Sequence, residues 1–211
     1  MGRGYDGYCA IAHALGVVGE RWSLLVVREL QHGPLRYTDL HARLPGCSTN
    51  ILAARLKELE SGGVIAREKL PPPAAATVYA LTPSGEALRP VLRELAWWAI
   101  GRLGPPPADT VFDADELAHV LRTAIPAEAS HEPIEVRVGE AIAHVGPDGA
   151  QSGPAAEPIA TVVANPCSLY ALLVERAIDQ VEIHGDRNAV AELLEALPHA
   201  GVIPIVASPL P

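Results

Sequence analysis

Apolar residues in the first hundred positions recur at intervals of three and four, the spacing that lays one stripe along a helix. Ile11, Leu15 and Val18 form the first such run, and Gly19 ends it. Trp22, Leu25, Val26 and Leu30 mark a second helix, closed by His32-Gly33-Pro34. Thr38 is placed to cap a third short helix reaching Leu44, with Asp39 near its positive end. Pro45-Gly46 dictates a turn, and Ser48 is placed to cap a fourth helix that stops at Ser61-Gly62-Gly63. The period then changes. Residues 64–70 and 77–81 read as two strands of a hairpin, and the three prolines and three alanines between them make its loop too long for a tight turn. Thr82-Pro83 opens a last helix running towards Leu103, in which Pro90 predicts a kink.

The pattern is interrupted at Gly104-Pro105-Pro106-Pro107-Ala108-Asp109, a stiff extended stretch. Beyond it, Leu117, Val120, Leu121 and Ile125 predict a helix over 113–125. Pro133 through Val145 alternates weakly and reads as a strand, followed by a turn at Pro147-Asp148-Gly149. Strands are expected at 159–163 and 181–183, and helices at 169–176 and 188–197. This half is therefore α+β. The division expected is a first domain over 1–104, a Pro-rich linker over 105–111 and a second domain over 112–211.

Charge sharpens that division. Residues 1–104 hold twelve Lys/Arg against nine Asp/Glu, and residues 105–211 hold four against sixteen, so +3 and −12 make up the net −9. Only the first half can accept a polyanion. No uninterrupted apolar run reaches the roughly 18 residues that a membrane span requires, and Met1 to Asp6 has no apolar core of a secretory signal. The expectation is a cytoplasmic protein without a membrane partner.

Helix, turn and helix between Thr38 and Leu59, followed by a hairpin, is the order of a winged helix-turn-helix. On a helical projection Ser48, Leu52, Leu56 and Leu59 share one side. Asn50, Ala54 and Lys57 lie opposite, flanked by Thr49 and Ala53. Short side chains near the helix start permit close approach to base edges. Asn can pair with adenine in two-pronged fashion, and Thr can use its hydroxyl or methyl. Lys57 suits a phosphate. The expected partner is double-stranded DNA.

Residues 8–98 resemble the HxlR-type regulators, relatives of the MarR-type winged-helix proteins. The resemblance is carried by Tyr8-Cys9, by Gly19-Glu20-Arg21-Trp22-Ser23-Leu24-Leu25 and by Gly33-Pro34-Leu35-Arg36-Tyr37-Thr38-Asp39-Leu40. Leu56-Lys57-Glu58-Leu59-Glu60 and Val78-Tyr79-Ala80-Leu81-Thr82-Pro83-Ser84-Gly85 extend it. It implies a homodimer on a pseudo-palindromic operator, with Arg36 and Lys69 as backbone contacts. Ala10 departs from the proline common in the family, and the uncharged wing tip, Pro71 to Ala76, disfavours minor-groove reading by arginine. From Phe112 onward the chain is similar to sterol-carrier-protein-like domains, through Ala164-Asn165-Pro166-Cys167-Ser168-Leu169-Tyr170 and Val181-Glu182-Ile183-His184-Gly185-Asp186. That similarity implies an α+β fold with an apolar cavity for a small-molecule effector. Trp97, Trp98 and Tyr170 are candidate ligand contacts, and the apolar tail Val202 to Val206 could close such a cavity or form an edge strand.

Other chemistry has little support in the spacing. Cys167, His184 and His199 form no nucleophile–base pattern, His119, His131 and His144 lack a metal-ligand repeat, and no Gly-rich phosphate loop occurs. No enzymatic activity, cofactor or metal is expected. Cys9 offers an alternative as a redox sensor, because a cysteine precedes the first helix in some HxlR-type regulators and a helix start favours the thiolate. A lipid or metabolite carrier dimerised by its first half is a third reading. Trp97 and Trp98, being adjacent, cannot share one helix face; one is expected to pack inward and the other to meet a partner subunit or the second domain.

Overall fold

The computed structural model describes residues 8–71, 76–126 and 129–198. The chain forms two compact units, divided between Leu92 and Arg93.

The first unit contains α1 (Ala10–Val18), α2 (Ser23–Leu30), α3 (Tyr37–Arg43), α4 (Thr49–Ser61), β1 (Ile65–Lys69), β2 (Thr77–Leu81) and α5 (Pro83–Glu86). Its core gathers Val26, Val27 and Leu30 of α2, Leu40 of α3, Leu52, Leu56 and Leu59 of α4, and Ile65 of β1. β1 and β2 pair antiparallel from Ile65↔Leu81 to Lys69↔Thr77. Leu35 adds a third, one-residue rung, exchanging both backbone hydrogen bonds with Tyr79 at 3.0 and 2.8 Å. This is a winged helix-turn-helix.

Two helix starts in the first hundred residues differ from expectation. Thr38 lies inside α3, whose N-cap is Arg36 without a side-chain bond, and the Thr38 hydroxyl instead donates to Asp39. Pro90 produces a break where a kink was expected. α5 ends at Glu86, the Leu88 N–H turns back to Gly85 O, and α6 (Arg89–Leu103) begins afresh. Pro90 thus occupies a first turn, where a missing N–H costs nothing. Thr82 caps α5 as expected, accepting from Gly85 N at 3.2 Å. Gly85 is obligatory beside it, because a Cβ there would collide with the Val64 carbonyl. Residues 72–75 of the wing tip and the tail Val202 to Val206 lie outside the described residues.

The second unit continues along α6 into α7 (Ala114–Ala124), where Asp113 and Glu116 form a reciprocal capping box. A five-stranded sheet follows in the order β5-β4-β3-β6-β7, built from β3 (Ile134–Val138), β4 (Ala141–Gly146), β5 (Gly149–Ser152), β6 (Ala160–Ala164) and β7 (Glu182–Gly185). Among the described residues, only the β3–β6 pair is parallel. The single strand expected from Pro133 to Val145 is a hairpin turning at Gly139-Glu140. Its alternation is weak for a physical reason: Glu135, on the face opposite Ile134 and Val136, is only 2 % exposed. Arg137 Nε at 2.7 Å and the Ala155 N–H at 3.0 Å both donate to it.

The expected helix at 169–176 starts earlier, as α8 (Pro166–Tyr170) capped by Asn165, and widens into a π-helical turn over Ala171–Glu175. α9 (Arg187–Glu195), capped by Asp186, completes an α+β unit. Its core joins Leu117 and Leu121 of α7, Val136, Val145 and Val162 of the sheet, and Val190 and Leu193 of α9. No single helix among the described residues is long and apolar enough to cross a membrane.

Candidate nucleic-acid interface

The turn between α3 and α4 is made by Gly46 at φ +85°, a backbone angle that suits glycine, and by Cys47 N–H returning to Leu44 O at 3.0 Å. Cys47 is buried there, and burial pushes its thiol pKa up, outweighing the opposite effect of Arg55. Ser48 then caps α4, its hydroxyl oxygen accepting from Ile51 N at 3.4 Å. A second fastening was not legible in the projection. The Tyr37 hydroxyl donates to Thr49 O at 2.8 Å, anchoring the first turn of α4 to the start of α3.

With Leu52, Leu56 and Leu59 buried, α4 turns Thr49, Asn50, Ala53, Ala54 and Lys57 outward. Thr49 and Asn50 lie in the first turn, Ala53 one turn further and Lys57 beyond it. Ser48 is exposed beside them, with its hydroxyl proton still able to donate. Arg36 is exposed at the entrance to α3, and Lys69 is exposed at the end of β1 opposite Thr77.

Charge pairing separates these cations from their neighbours. Among the described residues, no carboxylate pairs with Arg36, Lys57 or Lys69. Arg67 lies over the Tyr79 ring and reaches Glu60 at 3.5 Å. Arg55 is paired with Glu20 and Glu58. A cation already neutralised by a carboxylate releases fewer counterions on meeting a phosphate. Arg36, Lys57 and Lys69 therefore keep their full charge for a polyanion, as does Arg43 at the exposed end of α3.

The remaining candidates are dispersed. Cys9 is exposed at the N-cap of α1 with no side-chain bond. Trp97 is buried and walls an apolar cavity of about 190 Å³ together with Ala96 and Ile100 of α6, Val120 and Thr123 of α7, and Leu173. Trp98 is exposed, with the Arg102 guanidinium over its ring. Tyr170 is half-buried at the end of α8 and does not line that cavity, and burial, assisted by Glu175, raises its hydroxyl pKa. Cys167 donates to Pro106 O and His184 pairs with Glu182, so the structure does not assemble them into a nucleophile–base pair.

Comparison with known proteins gives a consistent result. Residues 17–105 match the family described as HxlR-like helix-turn-helix. The chain is 38% identical over 92 residues to the uncharacterized HTH-type transcriptional regulator YvaP of Bacillus subtilis, covering 44% of this chain and 85% of that one. It is 35% identical over 103 residues to the HTH-type transcriptional regulator YodB of Bacillus subtilis, covering 49% of this chain and 90% of YodB. The solved reduced form of YodB superposes with a TM-score of 0.40, covering 44% of this chain and 92% of that one.

Proposed function

The chain belongs to the HxlR-like helix-turn-helix family, whose matched relatives are transcription regulators, and we propose that it binds a pseudo-palindromic operator as a homodimer. DNA binding belongs to the family. The observation that carries it is the outward face of α4, with Thr49, Asn50 and Ala53 to read base edges and Lys57 to hold a phosphate. Ser48 supports the same turn, and Arg36 and Lys69 contact the backbone. Dimerisation is supported by two unpartnered stripes. Ile11 (72 % exposed) and Leu15 share a face of α1, and Val91, Leu95 and Trp98 recur at helical spacing along α6. For this reason α6 is assigned with residues 1–104 to DNA binding and dimerisation.

Enrichment of randomised duplexes on the full chain should yield a two-fold repeat with half-sites about one helical turn apart, roughly 10–10.5 bp. Sedimentation showing a monomer at micromolar concentration, or sequences without a two-fold repeat, would refute this reading. Failure to shift any duplex would favour a carrier.

The acidic second half serves as a sterol-carrier-like sensor, with residues 105–111 as its linker. Its effector is a small, largely apolar molecule seated against Trp97 in the cavity between α6 and α7. Linkage makes the effect reciprocal: if the effector changes operator affinity by a factor of about 5–150, operator must change effector affinity equally. Thermal-shift titrations of the full chain, with and without operator, check this, and identical affinities would remove the regulatory claim. A second reading places sensing at Cys9, exposed beside the α1 stripe. YodB has been solved in diamide-treated and quinone-bound forms. Diamide added to the same titration should then abolish operator binding in the parent and leave Cys9→Ser unaffected.

A further inference from the structure

The guanidinium of Arg55 lies midway along α4, between the buried stripe and the outward face. Its side chain is 14 % exposed, with Nη1 at 3.2 Å from Glu20 and 2.7 Å from Glu58. Glu58 belongs to α4 itself, but Glu20 belongs to the turn joining α1 to α2. That turn is tightly specified. Trp22, which follows Glu20 by two positions, sits at φ +81°, and among the described residues only one other non-glycine, Arg176, has a positive φ. A second contact ties the same elements together further along. A Cβ on Gly62, just past α4, would come within 2.8 Å of Val17 in α1.

We propose that Arg55 is a positioning residue for DNA recognition: through Glu20 it fastens the middle of α4 to the α1–α2 turn and sets the angle at which Thr49 and Asn50 meet the bases, without itself touching DNA. The proposal rests on α4 being the recognition helix. Two carboxylates surround one guanidinium, so a phosphate approaching Arg55 would meet net negative charge rather than a free cation. Paired hydrogen bonds to a base edge tolerate little misplacement, so a helix that rocks loses them while keeping its diffuse attraction to phosphate. Three anchors remove that freedom: Tyr37 at the first turn of α4, Arg55 at its middle, and the Val17–Gly62 contact at its end. With Glu20 exposed to solvent the pair adds little to stability, but the largely buried Arg55 side chain lets it fix orientation.

The test compares Arg55→Gln and Glu20→Gln in the full chain, by mobility shift on the enriched operator and on a scrambled duplex across a salt series. Specific affinity should fall about tenfold for Arg55→Gln and about fivefold for Glu20→Gln. Binding to the scrambled duplex should fall much less than specific binding in Arg55→Gln and should not fall in Glu20→Gln, and the dependence of log K on log salt should be unchanged in both. The double variant should be no worse than Arg55→Gln alone, because both remove one interaction. The sign of the Glu20→Gln effect is decisive. Removing a negative charge from a DNA-binding surface should strengthen binding if charge alone mattered; positioning requires that it weaken. Binding of Glu20→Gln as tight as the parent's would overturn the proposal. So would a salt slope lowered by about one unit in Arg55→Gln, the mark of a lost phosphate contact. Glu20 is 70 % exposed, so its substitution keeps the test available if Arg55→Gln does not fold. Asn50→Ala run alongside tests the recognition-helix reading separately. Specificity lost there but intact in the Glu20 and Arg55 variants would sink the positioning role alone.

Discussion

Replacing Trp97 by alanine is expected to destabilise the unit beginning at Arg93 by about 3–5 kcal/mol, the range for deleting a buried aromatic side chain. Three contacts are lost together. The ring is only 4 % exposed and belongs to the core containing Leu117, Leu121 and Leu173. Its indole N–H donates to the Ala124 carbonyl at 3.2 Å, near the end of α7. The Arg176 guanidinium lies 5.5 Å from its ring centroid. Trp97→Phe separates them: it keeps most of the apolar area and leaves the Ala124 carbonyl without its partner, a loss of about 1–3 kcal/mol. Trp98→Ala is the control, since that ring is 52 % exposed. Urea unfolding followed by circular dichroism, with hydrogen exchange of the α7 amides, measures all three. A loss below about 1 kcal/mol in Trp97→Ala would contradict the packing described.

The adjacent tryptophans show what sequence reasoning can reach. Two residues one position apart on a helix must face differently, and they do, but nothing in the spacing says which one turns inward. Periodicity was informative wherever one face of an element is buried. Leu52, Leu56 and Leu59 define α4, and the strand expected at 77–81 coincides with β2. It failed where both faces are covered. Glu135 is held by Arg137 and Ala155, so β3 does not alternate cleanly, and the turn at Gly139-Glu140 carries no Asn-Gly or Asp-Gly signal. The Leu35 rung is one residue long and leaves no run to detect.

The candidate interface divides in the same way. Its outward residues follow from the helical projection of α4 alone. Its supports do not, because Tyr37–Thr49 and Glu20–Arg55 join residues from separate elements, and a projection records a face but not what lies against it. Arg55 makes the point most clearly. A basic residue on a recognition helix invites assignment to DNA, yet its two carboxylate neighbours have already taken its charge.

Alanine at Thr49 and Asn50 should cost about 1–3 kcal/mol of specific binding at each position, with sequence preference relaxed at the bases they read. Both side chains are exposed in the first turn of α4, and neither supports the fold: the cap is Ser48, and Tyr37 holds the Thr49 backbone oxygen, which alanine retains. The double variant should therefore melt like the parent, so that any lost affinity is lost recognition. Lys57→Ala gives the contrasting signature. With no carboxylate partner among the described residues, its ammonium is available to a phosphate, and its removal should weaken operator and scrambled duplex alike. The slope of log K against log salt should fall by about one unit in Lys57→Ala and stay constant in the Thr49/Asn50 variant. Footprinting and salt-dependent mobility shifts distinguish the two outcomes. An unchanged footprint and affinity in the double variant would remove Thr49 and Asn50 from base reading, and a slope change there would reassign them to the backbone.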